Sequence, residues 1–215
     1  MKKYPDLFLM MFLVGATWFF LFAAKNRRDY TAALSKSALK IINPVIHDSL
    51  FRSGDLIFRD GRGFMSSVFR RLSLIDPRYS HAGIIHKEDG KIYVFHIMGG
   101  EGNMNSQMRK DLLNNFCSPL QSNAIAIYRT DLNGRKIDSL AEYYFSQKIE
   151  FDADFNLETD DKMYCTELLY KILLKVSGQD NFLPLSAISG IKYASCDNIY
   201  LSIHSKKIYS VIYTF

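Results

Sequence analysis

Apolar and polar positions along this chain form three kinds of stretch: one long uncharged run, several short runs bounded by turn residues, and two amphipathic stripes. The long run is Leu7 to Ala24, 18 residues without a charge. As a helix it spans about 27 Å, close to the thickness of a bilayer core. After it, Tyr30, Ala33, Leu34, Ser37, Ala38 and Ile41 keep helical spacing until Asn43-Pro44. The short runs follow. Leu56-Ile57-Phe58 between turns at Ser53-Gly54-Asp55 and Asp60-Gly61-Arg62-Gly63 predicts a buried strand. Phe64 to Leu74 predicts a helix, with Phe64, Val68 and Leu72 four residues apart. Ser80 to His86 and Lys91 to Met98 predict two strands of a hairpin turning at Asp89-Gly90.

Gly99 to Asn105 reads as a Gly-rich loop, Met108 to Phe116 as a short helix, and Ala124 to Tyr128 as a further strand. Arg135 to Gln147 carries one apolar stripe, Ile137, Leu140, Ala141, Tyr144 and Phe145, and predicts a helix. An acidic loop, 151–161, precedes a second stripe: Cys165, Leu168, Leu169, Ile172, Leu173 and Val176, ending near Gly178. Pro184 to Ser189 suggests another short helix, and Lys207 to Tyr213 alternates as a closing strand. Strands cluster in the middle of the chain, so the expected class is α+β with a mainly antiparallel sheet packed on helices. The expected division is an N-terminal anchor with its flanks at 1–28, a linker helix in 29–49, and one domain at 50–215.

Charge sharpens this division. The chain of 215 residues has a formal net charge of +5. Residues 1–28 hold +4 of it, in Lys2, Lys3, Lys25, Arg27 and Arg28 against Asp6; the remainder is +1. The basicity flanks the uncharged run, and the domain has no excess of positive charge for a polyanion, which argues against nucleic acid as a partner. The run is longer than the core of a secretory signal, and Phe22-Ala23-Ala24 makes a poor cleavage site, so a retained single-pass anchor at residues 7–24 is expected. Basic residues flank both ends, so charge alone does not orient it.

The three cysteines, Cys117, Cys165 and Cys196, form no CxxC pair and no cluster with histidine at metal spacing. A Cys117–Cys196 disulfide is compatible with the sequence and would leave Cys165 free. No metal or organic cofactor is called for. Cys165 stands at the predicted start of a helix, where free N–H groups and the helix dipole favour a thiolate, the reactive form. Its ordinary role would be a small buried hydrophobe. A thiolate nucleophile needs a base, and the base needs a group to orient it. His81, followed by the small Ala82 and Gly83, and His96 on the returning strand can meet across the hairpin. His86, five residues on, falls on the opposite face. Tyr164 and Tyr79 are candidates for a donor to the oxyanion or substrate, beside the Cys165 N–H. Asp55 reads as a turn-former, Asp152 and Asp154 as solvated loop carboxylates, and Met98, Met104 and Met108 as an adaptable apolar rim.

Taken in order, Gly54-Asp55-Leu56-Ile57-Phe58, Ser80-His81-Ala82-Gly83-Ile84, and Phe151-Asp152 through Tyr164-Cys165-Thr166-Glu167-Leu168 resemble the circularly permuted NlpC-like papain-fold enzymes. The likeness is greatest to the YaeF/YiiX-like peptidases and amidases, with the lecithin:retinol acyltransferase group sharing the permuted order. It covers roughly residues 50–176. It implies a permuted papain-like fold with Cys165 as nucleophile, His81 as general base and His96 as the third, orienting residue. A histidine at that third position is nearer the acyltransferase side. The activity implied is a thiol hydrolase acting on an amide or ester through an acyl-enzyme. Its substrate would be a peptide or a lipid-linked acyl group, and the domain would face away from the cytoplasm. A lipid acyltransferase or thioesterase of the same fold, or a catalytically silent tethered binding domain, are the alternatives.

Overall fold

The structure is a computed structural model that describes residues 49–99 and 107–213. The expected anchor at 7–24, the helix from 29, the Gly-rich loop after Gly99 with Met104, and residues before 49 lie outside the described residues. No helix among the described residues is long and apolar enough to cross a membrane.

Among the described residues, eight strands and five helices alternate irregularly: β1 (Leu56–Gly61), α1 (Phe64–Arg70), β2 (His81–Glu88), β3 (Lys91–Ile97), β4 (Met108–Leu112), α2 (Leu113–Phe116), β5 (Ser122–Thr130), α3 (Gly134–Ser146), α4 (Cys165–Ser177), β6 (Ser186–Ile188), β7 (Ile191–Tyr193), α5 (Cys196–Tyr200) and β8 (Ser205–Ile212). Six strands form one sheet in the order β4-β3-β2-β1-β5-β8, and every pairing in it is antiparallel. The α+β class with a mainly antiparallel sheet is therefore the observed one.

The hairpin of β2 and β3 sits inside this sheet and turns at Asp89-Gly90, both at positive φ (49° and 72°). Two left-handed residues give the turn whose twist matches the flanking strands. Side chains of β2 alternate between faces. Ala82 and Ile84 join the larger core, with Phe95, Ile97 and the buried stripes of α3 and α4. Ile85 points the other way and joins Ile57, Val94, Phe116 and Ile127 in a second core. Gly83 allows the close approach of β3: a Cβ there would lie 2.5 Å from Val94 Cγ1 and 2.9 Å from the Phe95 carbonyl oxygen. Asp55 forms the turn before β1, accepting from Arg52 N–H at 2.8 Å and holding Arg129 through two bonds of 2.7 Å.

Four sequence expectations change. The α1 helix stops at Arg70, because Arg71, Leu72 and Ser73 donate to carbonyls three residues back and tighten the chain out of the α form. Met108 to Phe116 is a strand followed by a single helical turn. The segment after Pro184 is no helix but the two-stranded ribbon of β6 and β7. Asp152 is buried rather than solvated: its carboxylate accepts from the N–H groups of Asp154 and Asn156 at 2.8 and 2.6 Å and so shapes the loop before α4. Cys117 and Cys196 are both free, and they belong to different cores on opposite sides of the sheet, which leaves no disulfide between them.

Candidate active site

The thiol is positioned by the start of α4. Tyr164 precedes the helix in extended backbone, and its N–H donates to Oε2 of Glu167 at 3.1 Å. Glu167 is fully buried, with Lys171 Nζ 2.9 Å from its other oxygen. This carboxylate inside the first turn fixes where the helix begins. Cys165 is the first helical residue and the half-buried member of the three thiols; Cys117 and Cys196 are buried. Burial pushes the Cys165 thiol up. The backbone N–H groups of Ala82 and Thr166, then the Arg59 guanidinium, pull it back. Burial drives Cys117 to about 12, against the pull of the Arg59 charge.

The histidines follow from strand register. His81 opens β2 directly across from Arg59 on β1. Its Nε2 lies 3.0 Å from Nδ1 of His96 on β3. His96 Nε2 in turn lies 3.1 Å from Oδ2 of Asp111 on β4. His81 stacks on Phe116 (5.6 Å between centroids) and His96 meets the same ring edge-on at 5.0 Å.

This chain of contacts has one consistent arrangement of protons. An ionised carboxylate only accepts, and His96 holds Asp111 ionised below its ordinary range. So His96 carries its proton on Nε2 and presents a bare Nδ1. His81 must then donate from Nε2, which leaves His81 Nδ1 bare. Burial, then Arg59, then His96 push His81 well below the usual imidazole range. His96 is also lowered by burial, against the pull of Asp111. Both rings therefore rest neutral at pH 7. Thiol and imidazole are thus both held toward their neutral forms.

Cys165, His81 and Arg59 line one cavity of about 90 Å³, whose apolar walls include Met98, Phe69 and Phe155. That volume suits a carbonyl and its immediate substituents. Arg59 is 5 % exposed, lies 4.6 Å over the Phe116 ring, and donates to the Phe116 carbonyl at 3.1 Å. The sequence holds one signal for it, a lone arginine in an apolar strand, that its spacing did not turn into a role. Asp111 was hidden by the expected helix at 108–116.

Of the two tyrosines, Tyr164 lines the cavity, but its hydroxyl accepts the Ala194 N–H at 2.8 Å and ties α4 to the segment before α5. Tyr79 does not line it. It packs with Phe58 and Tyr200 in the larger core, at 6.0 and 5.1 Å between centroids. Met98 lines the cavity, whereas Met108 is buried in the core.

A family model described as permuted papain-like amidase enzyme, YaeF/YiiX, C92 family, matches residues 51–183. Among curated proteins none matches. A solved structure, titled as that of the metalloprotein yiiX from Escherichia coli O157:H7, is similar with a TM-score of 0.60 at 17 % identity, over 75 % of this chain and 98 % of that one. At that identity the likeness speaks for the fold.

Proposed function

The chain belongs to the permuted papain-like amidases of the YaeF/YiiX family and is a cysteine hydrolase, and from that premise we propose that Cys165 cleaves an amide bond of a peptide-like substrate through an acyl-enzyme. One observation carries the reading: the ordered contacts Asp111–His96–His81 leave a bare ring nitrogen on His81, which lines the cavity that holds the half-buried thiol. His81 Nδ1 takes the thiol proton as sulfur attacks the carbonyl. The imidazolium so formed donates from Nε2 to His96, which is steadied by Asp111. The N–H groups at the start of α4, with the charge of Arg59 nearby, favour the oxyanion. His81 returns its proton to the leaving amine, and water hydrolyses the thioester by the same steps in reverse order. His96 and Asp111 act as positioning residues.

A lipid-linked acyl substrate is the second reading. It is favoured by the apolar residues exposed on and after α1, beside Met65 and Phe69 of the cavity wall: Phe64 at 75 %, Leu74 at 56 % and Ile75 at 78 %. In the full reading residues 7–24 anchor the chain, and the domain works on the extracytoplasmic side. Full-length protein should stay with membranes through an alkaline carbonate wash; release would remove the anchor.

The catalytic reading is tested with peptide-amide and acyl-ester electrophiles, with Cys165→Ser as control. Labelling is expected at Cys165, at least tenfold slower in His81→Ala, and much weaker at Cys117 and Cys196. Equal labelling of all three cysteines, or no effect of His81→Ala, overturns it. Preference for the ester probes selects the second reading.

A further inference from the structure

His86 takes no part in this chemistry. It lies on the opposite face of β2 from His81 and is 6 % exposed, with the Phe95 ring 4.8 Å away. Its Nδ1 is 2.9 Å from Oδ1 of Asp138 on α3. The carboxylate can only accept, so Nδ1 carries a proton, and in the neutral ring Nε2 presents a lone pair. That Nε2 is buried and has no hydrogen-bond partner. Leaving such a group unsatisfied costs stability.

Carboxylates surround the orphaned nitrogen. Glu88 is two residues along the same strand and so on the same face, with Oε1 at 3.9 Å. Glu142 is one turn beyond Asp138 on α3, on the same side of that helix. One atom each of His86, Glu88 and Glu142 lie within 4.8 Å of one another. Lys110 balances only the other oxygen of Glu88. A strand offering residues two apart thus meets a helix offering residues four apart, and three acidic side chains converge on one imidazole.

We propose that His86 Nε2, Glu88 and Glu142 bind a divalent transition cation of the zinc type, with Asp138 orienting the ring. A nitrogen donor with two carboxylates suits such an ion better than calcium, which takes oxygen alone. Ligand bonds of about 2.0–2.2 Å require the two exposed carboxylates to swing inward by about 1 Å. The histidine–carboxylate pairing behind the ligand has the form that fixes tautomer and raises ligand basicity. None of these residues lines the Cys165 cavity. The cation would therefore clip the β2–β3 hairpin to α3 and satisfy the buried nitrogen, without entering the hydrolytic reaction.

The test is zinc titration of the chelator-stripped full-length protein against a chromophoric competitor, with melting followed in parallel. Wild type is expected to bind one equivalent and to melt higher with zinc. His86→Gln should lose that equivalent, Glu142→Gln should weaken it at least tenfold, and Asp138→Asn by about 10–100-fold. Cys165→Ala should retain it. No bound equivalent in wild type, an equivalent that persists in His86→Gln, or one that vanishes in Cys165→Ala would each overturn the site. Should His86→Gln fail to fold, Glu142→Gln decides, since Glu142 is exposed; unchanged affinity there also overturns it.

Discussion

One hairpin carries two histidine–carboxylate pairs on its two faces. His96 meets Asp111 at 3.1 Å, and His86 meets Asp138 at 2.9 Å. Both imidazoles are buried, and each carboxylate fixes the proton on the nitrogen it faces. What differs is the other nitrogen. That of His96 meets a second imidazole, which lines a cavity with a thiol. That of His86 meets no donor and stands among carboxylates. The pair by itself thus assigns no role. The group beyond it decides between holding a base and holding a cation.

The largest expected effect breaks this comparison if it fails. Asp111→Asn replaces an obligate acceptor with an amide that can donate. His96 can then flip its tautomer, His81 no longer finds an acceptor for Nε2–H, and the base on Nδ1 is lost. Turnover should fall about 10²-fold or more, with little change in KM, by the logic of a misdirected tautomer. Asp131→Asn, at the exposed His204–Asp131 pair of 2.8 Å, should leave turnover unchanged. Asp138→Asn should act on cation affinity instead. Equal losses of turnover at Asp111 and Asp138 would erase the distinction between the faces.

Much of this arrangement was legible in the chain. The hairpin, its turn at Asp89-Gly90, the opposite facing of His81 and His86, and the helix beginning at Cys165 all follow from local period and turn chemistry. The likeness that named the family rested on the same segments. What stayed hidden depends on contacts distant in sequence. Met108, Leu112, Leu113 and Phe116 satisfy a helical template, yet the first two belong to β4 and the last two to α2. The spacing bridges two elements, and only pairing with β3 separates them. The carboxylate of Asp111 reaches His96 only through that pairing. The Ser189-Gly190 pair is a hairpin signal that the preceding proline outweighed in a segment of three-residue strands. Tyr79, two residues before His81, is drawn into an aromatic cluster and not to the cavity.

A smaller effect sharpens the contrast between carboxylates held ionised and one held near neutrality. His96 lowers Asp111, whereas burial raises Glu167 to about 7. Because its folded pKa exceeds the ordinary 4.5, folded protein binds more protons than unfolded between about pH 4.5 and 7. Stability from this residue is therefore lost as pH rises through that window, by roughly 2–3 kcal/mol. Glu167→Gln should flatten that part of the stability profile in denaturant unfolding. A slope unchanged from wild type would mean that Lys171, 2.9 Å away, keeps the carboxylate ionised throughout.

The smallest effect comes from a single methyl between the two faces. At Gly83 an added Cβ would lie 2.5 Å from Val94 Cγ1, 2.9 Å from the Phe95 carbonyl and 3.2 Å from His96 Cβ. Val94 is fully buried and Phe95 belongs to the sheet backbone, so neither yields freely. Gly83→Ala should cost about 1–2 kcal/mol from overpacking. The strain falls on the face of His96 rather than that of His86, because residue 83 shares its side of β2 with His81. Turnover should therefore drop in this variant while zinc affinity holds. A loss of both would mean that the hairpin moves as one body, and that the independence of its faces is only geometric.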